Sequence, residues 1–189
     1  IGAKLIHLST DDVFSHHARQ PYNEFEIPTP STIYGKSKLA GERFVQNLCT
    51  RHVIVRSSWV YGIGKDFVNT ILEAANNPSV TSMEVAENEF ASPTSATELA
   101  KVIEQLIDND CLGIYHAVCG GFCSRFEFAQ AILKAIHAKD KLTLKPISDS
   151  ETINYSVLDN MMLRLENFTQ PISWQQALKD YIRTTGGNN

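Results

Sequence analysis

"STIYGKSKLAGE", residues 31–42, carries Tyr34 and Lys38 four positions apart. On a helix that spacing puts both side chains on one face, a turn apart. Ser31 or Thr32 is placed to cap such a helix, which should run to about Cys49 with Leu39, Phe44, Val45 and Leu48 on its apolar side. Upstream, "KLIHLS" (4–9) is apolar and free of charge after Lys4, as a buried parallel strand would be. Downstream, "HVIVRSSWVYG" (52–62) is a β-branched strand ending in aromatics and glycine. Strand, helix and strand joined by a long crossover read as a βαβ unit, so the sheet is expected to be parallel.

A phenol beside an ammonium can serve as a proton donor. A free tyrosine has a pKa near 10, which makes it a sluggish acid–base group at neutral pH. A unit charge at about 4 Å contributes roughly 4 kcal/mol at an effective dielectric near 20, enough to lower that pKa by up to about three units before desolvation opposes it. A second tyrosine–lysine match, Tyr61/Lys65, spans "YGIGK", whose two glycines oppose a helix. Without a helix its side chains need not meet, so it reads as coincidence. Ser9 and Thr10 lie at the carboxyl end of the first strand, at the crevice where open α/β sheets bind ligands.

Beyond Gly64 helices are expected near 66–76, 96–108, 125–137 and 174–183. Strands are expected near 82–86, 113–118 and 143–148. Residues 1–62 are read as the C-terminal part of a nucleotide-binding, Rossmann-type parallel sheet. Residues 63–189 are read as a smaller α+β substrate-binding cap, with the strand near 113–118 returning to the main sheet.

The chain has 189 residues, 43% hydrophobic and 20% charged, ordinary values for a globular domain. A net charge of −4 argues against a nucleic-acid partner, and no apolar run reaches membrane-spanning length. Cys49, Cys111, Cys119 and Cys123 fit no metal-pair spacing and are read as reduced thiols of a cytoplasmic protein. His16 and His17 read as solvated loop residues, and no metal is expected.

The ordered motifs "HLSTDDVF", "PYNE", "YGKSKLAGE", "VRSSWVYG", "FASPT" and "YSVLDN" resemble the extended short-chain dehydrogenase/reductases, above all their dTDP-4-dehydrorhamnose reductase branch. That resemblance implies reduction of the 4-keto group of dTDP-4-dehydro-L-rhamnose by NADPH or NADH. It makes Tyr34 the proton donor, gives Lys38 the nicotinamide ribose, and lets Thr10 assist. It also implies a backbone contact from Leu8 to the cofactor and substrate contacts from Thr10, Asp11 and Trp59. Asp11 is equally open to a turn-capping role and Trp59 to a core role. Two other readings remain: an epimerase or dehydratase of the same extended family, or a non-catalytic regulatory homologue such as the methionine adenosyltransferase β subunit.

The family tyrosine is replaced here by Asp12, and no glycine-rich phosphate cradle occurs in the sequence. From that absence, and from the abrupt start at Ile1, the chain is expected to lack upstream strands. It is then expected to bind cofactor weakly alone and to self-associate through an uncovered strand edge, with a homodimer as one form.

Overall fold

The computed structural model describes residues 2–148 and 153–185. β1 (Leu5–Thr10), α1 (Ile33–Leu48) and β2 (His52–Ser57) form the expected βαβ unit. β1 and β2 are parallel in register from Leu5 opposite His52 to Thr10 opposite Ser57. β3 (Val60–Tyr61) and α2 (Phe67–Asn76) follow, then β4 (Ser82–Ala86), β5 (Glu89–Ala91) and β6 (Thr94–Ser95). After α3 (Ala96–Asp108), β7 (Gly113–His116) lies parallel beside β2, giving the sheet order β1-β2-β7.

The remainder is β8 (Cys123–Ser124), α4 (Arg125–Ala135), β9 (Thr143–Ile147), β10 (Asn154–Tyr155), α5 (Met161–Leu165) and α6 (Trp174–Thr185). Here β4 pairs with β9, while β5 lies between β10 and β8. No helix among the described residues is long and apolar enough to cross a membrane. The α/β class and the parallel sheet are as the sequence implies.

β2 is the buried centre because both its faces are covered. Side chains alternate across a strand, and Val53 and Val55 pack with Leu99, Val102 and Leu106 of α3 and with Leu163 of α5. Arg56, on the opposite face, meets Glu42 of α1. A second core joins Tyr61, Val68 and Ile71 to Phe128, Ile132, Trp174 and Leu178, fixing α2, α4 and α6 together.

Two expectations need correction. β1 is parallel but not buried: Leu5 and Leu8 are 41% and 47% exposed, because β1 has only β2 beside it among the described strands. The inner side of α1 is Gly35, Leu39 and Glu42, whereas Phe44 and Leu48 face solvent. Hydropathy could not foresee this, since the buried position falls to a carboxylate whose partner is an arginine on another element.

Candidate active site

Helix α1 starts where the sequence implies. The Thr32 side chain accepts the Gly35 amide at 2.8 Å, setting Tyr34 in the first turn and Lys38 one turn on. Gly35 is a steric requirement. A Cβ there would lie 2.0 Å from the Asp12 carbonyl oxygen, so only glycine lets the helix start rest on the turn that leaves β1. This close approach brings Tyr34 to the carboxyl end of β1, where Thr10 is the last strand residue.

A cavity of about 460 Å³ opens at that end, lined by Thr10, Asp11, Tyr34, Trp59, Arg125 and Ser156 among others. A ligand site of ordinary size falls in this range. The structure therefore gathers Thr10, Asp11, Tyr34 and Trp59 around one space. Lys38 and Leu8 stand beside it: the Lys38 ammonium donates to the Leu8 carbonyl at 2.7 Å, on the solvent-facing edge of β1. A larger recess of about 950 Å³, bordered by Asn69, Lys141 and Tyr181, contains none of the expected site residues.

Each side chain is held differently. Tyr34 is 55% exposed, its phenol open to a ligand. The Thr10 hydroxyl donates to Asp11 Oδ1 at 3.0 Å and accepts the Asp12 amide at 3.3 Å. Asp11 is buried, and its Oδ2 accepts hydroxyls from Ser58 and Ser156, both at 2.7 Å. Burial pushes its carboxyl above the usual carboxylate range, and the two serine hydroxyls oppose that rise. Asp11 thus serves as an anchor among three segments, with its oxygens spent on neighbours.

His16 departs from the solvated reading: it is half-buried, lines the cavity and sits 3.1 Å from Asp12. Burial lowers its pKa, but Asp12 and Asp11 outweigh that and raise it overall. Trp59 has φ +41, in the left-handed region that bulky residues avoid. It is half-buried against the core that contains Phe128, so its core and crevice readings both hold in part.

Lys65 has no helix to bring it to Tyr61, because α2 begins only at Phe67 and Tyr61 is buried in the core. All four cysteines are free thiols. Burial raises Cys119 to about 11 and Cys123 to about 12.

Sequence reasoning missed Ser58, Glu89 and Arg125. Ser58 lies inside "VRSSW", but nothing in its spacing marks it as a partner of Asp11. Arg125 did leave a signal: a basic residue directly after a capping serine, at the helix end where the dipole disfavours cations.

A family model described as the RmlD substrate binding domain matches residues 1–186. The spore coat polysaccharide biosynthesis protein SpsK of Bacillus subtilis is 35% identical over 190 residues, which cover 97% of this chain and 65% of that protein. The dTDP-4-dehydrorhamnose reductase of Escherichia coli is 32% identical over 195 residues, covering 95% and 64%. A crystal structure of dTDP-4-dehydrorhamnose reductase from Bacillus anthracis in complex with NADP superposes with a TM-score of 0.91 at 37% identity, covering 97% and 66%. That likeness gives the sheet a Rossmann-type architecture. The chain spans just under two thirds of the length of the curated relatives it matches.

Proposed function

Because this chain belongs to the RmlD substrate-binding domain family, we propose that it carries the substrate side and the proton-transfer residues of a cytoplasmic NADPH- or NADH-dependent reductase. The reaction is reduction of the 4-keto group of dTDP-4-dehydro-L-rhamnose to dTDP-L-rhamnose. In this reading residues 1–62, with β7 beside them, belong to the nucleotide-binding sheet, and most of 63–189 forms the cap.

The observation that carries the reading is the placing of Tyr34 on the cavity wall, one turn from Lys38 and at the end of the strand that bears Thr10. The residues present suit the nicotinamide end of a dinucleotide. The Tyr34 phenol is exposed at the cavity, and the Lys38 ammonium and the Leu8 carbonyl beside it can trade their mutual bond for ribose hydroxyls. The pyrophosphate end has no glycine-rich turn in this sequence to receive it.

When bound, the nicotinamide supplies the hydride. Tyr34 gives its phenolic proton to the substrate's carbonyl oxygen as that oxygen gains charge. Lys38, one turn along the same helix, would hold the nicotinamide ribose. Thr10 can hold the same oxygen if its hydroxyl turns from Asp11, whose Oδ1 it now satisfies. Trp59, in the link between β2 and β3, lines the cavity where the sugar would lie.

Tyr34→Phe tests the assignment. Measured with these residues joined to a dinucleotide-binding half, it should lower kcat by about 10² or more with a small change in KM, as loss of a positioned general acid does. Turnover near the wild-type rate would remove Tyr34 from the proton-donor role.

A further inference from the structure

Arg125 opens α4 from the least favourable place for a cation. It is the first helical residue after the Ser124 cap, where the backbone already presents positive charge. The structure holds it there with aromatic faces. Its guanidinium carbon lies 3.6 Å from the centroid of the Trp59 ring and 4.9 Å from that of Phe67. Its ion-pair partner among the described residues is Glu89, with Nε 3.6 Å from the carboxylate, beyond hydrogen-bond length. Trp59, the platform, is itself held at a strained backbone angle. Strain and an opposed dipole at one place mark a residue kept for a ligand rather than for the fold.

The charges lining the cavity narrow what that ligand is. Asp11 is saturated by three hydroxyls, and Asp12 faces His16. Lys38 lies outside the cavity wall, on the Leu8 carbonyl, and is already assigned to the cofactor ribose. A nucleotide-sugar must bring a diphosphate, and that anion needs a cation. Arg125 is the arginine among the lining residues, and its planar fork matches two phosphate oxygens at once.

We propose that Arg125 is the diphosphate-binding residue of this cavity, receiving the nucleoside diphosphate part of the substrate on a guanidinium held flat against Trp59. This rests on the nucleotide-sugar reading above. Glu89, near Nε, is left to accept a sugar or ribose hydroxyl.

The test is calorimetric titration of the protein and its Arg125→Met variant with dTDP, thymidine and inorganic pyrophosphate. Loss of charge-assisted hydrogen bonds should weaken dTDP and pyrophosphate roughly 10- to 100-fold and leave thymidine alone. Arg125→Lys should recover only part of the loss, since it restores charge without the fork. Equal dTDP affinity in wild type and Arg125→Met would overturn the assignment. So would equal losses for dTDP and thymidine, which would mean that Arg125 merely shapes the pocket through Trp59. Should Arg125→Met fail to fold, the wild type decides: dTDP affinity unchanged between roughly 50 and 500 mM salt would also overturn it. Wild-type protein that takes up neither dTDP nor thymidine would sink the nucleotide-sugar reading, and this inference with it.

Discussion

Arg56 and Glu42 face each other through two hydrogen bonds of 2.9 and 2.7 Å, each side chain about 1% exposed. The pair ties α1 to β2, and Glu42 lies one turn beyond Lys38 on the same helix. Glu42→Ala would leave a buried guanidinium without its counter-charge, a loss of about 3–5 kcal/mol. For a chain of this size that corresponds to a fall in Tm of roughly 6–20 °C, read by thermal unfolding. Replacing both partners with Met should cost less than Glu42→Ala alone, because no charge is left stranded.

Gly35 and Gly41 share a helix but not a constraint. Gly35→Ala should unseat the start of α1, since its Cβ would fall 2.0 Å from the Asp12 carbonyl, a backbone atom that cannot swing aside. Gly41→Ala meets only His7 Nε2 at 3.4 Å, so it should be neutral or stabilise by up to about 1 kcal/mol from helix propensity. Denaturant midpoints of the two variants should therefore move apart, with Gly35→Ala far the lower.

His116 is fully buried, with Nδ1 3.1 Å from the Asp159 carbonyl. Burial first, and the Arg56 charge second, push its pKa down to about 3 from 6.5. The unfolded chain therefore takes up a proton that the folded chain refuses. The stability this histidine allows is complete above pH 6.5 and is lost as pH falls toward 3, by up to about 5 kcal/mol. Asp11 and Glu24, both raised chiefly by burial, work the other way, adding stability at low pH that fades as pH rises past about 4. His116→Asn, which keeps a donor toward Asp159, should lose less stability than wild type between pH 6.5 and 4.5 in urea titrations.

Lys38→Ala removes the ammonium from the Leu8 carbonyl and from the Tyr34 face of α1. With these residues joined to a dinucleotide-binding half, it should weaken NADPH binding and lower turnover together, whereas Tyr34→Phe lowers turnover alone. The 189 residues by themselves should bind NADPH more weakly than micromolar, because no glycine-rich turn receives the pyrophosphate. Calorimetry on this chain checks the second statement, and tight binding would contradict it.

The βαβ unit was legible because its information is local. A capping threonine, a four-residue spacing and a β-branched run each point to one conformation over a few residues. Helices expected near 66–76, 96–108 and 174–183 appear as α2, α3 and α6 within one or two residues, for the same reason. Two-residue strands such as β8 and β10 left no periodic trace. What joins them to the site is long-range: the hydroxyl of Ser156 reaches a carboxylate 145 positions away. The burial of Glu42 and the stacking of Arg125 on Trp59 are likewise properties of packed pairs, and single-residue hydropathy carries no record of them.

Asp11 gathers Thr10, Ser58 and Ser156 on one buried carboxylate, so three stretches of chain must arrive together before any one is correctly placed. Such a centre has no half-built form. If the stretch at Ser156 peels away, a buried anion loses a donor beside the very threonine that borders the substrate. Damage to the far end of the chain should therefore silence the site before the main sheet melts, making catalysis the earliest alarm of unfolding.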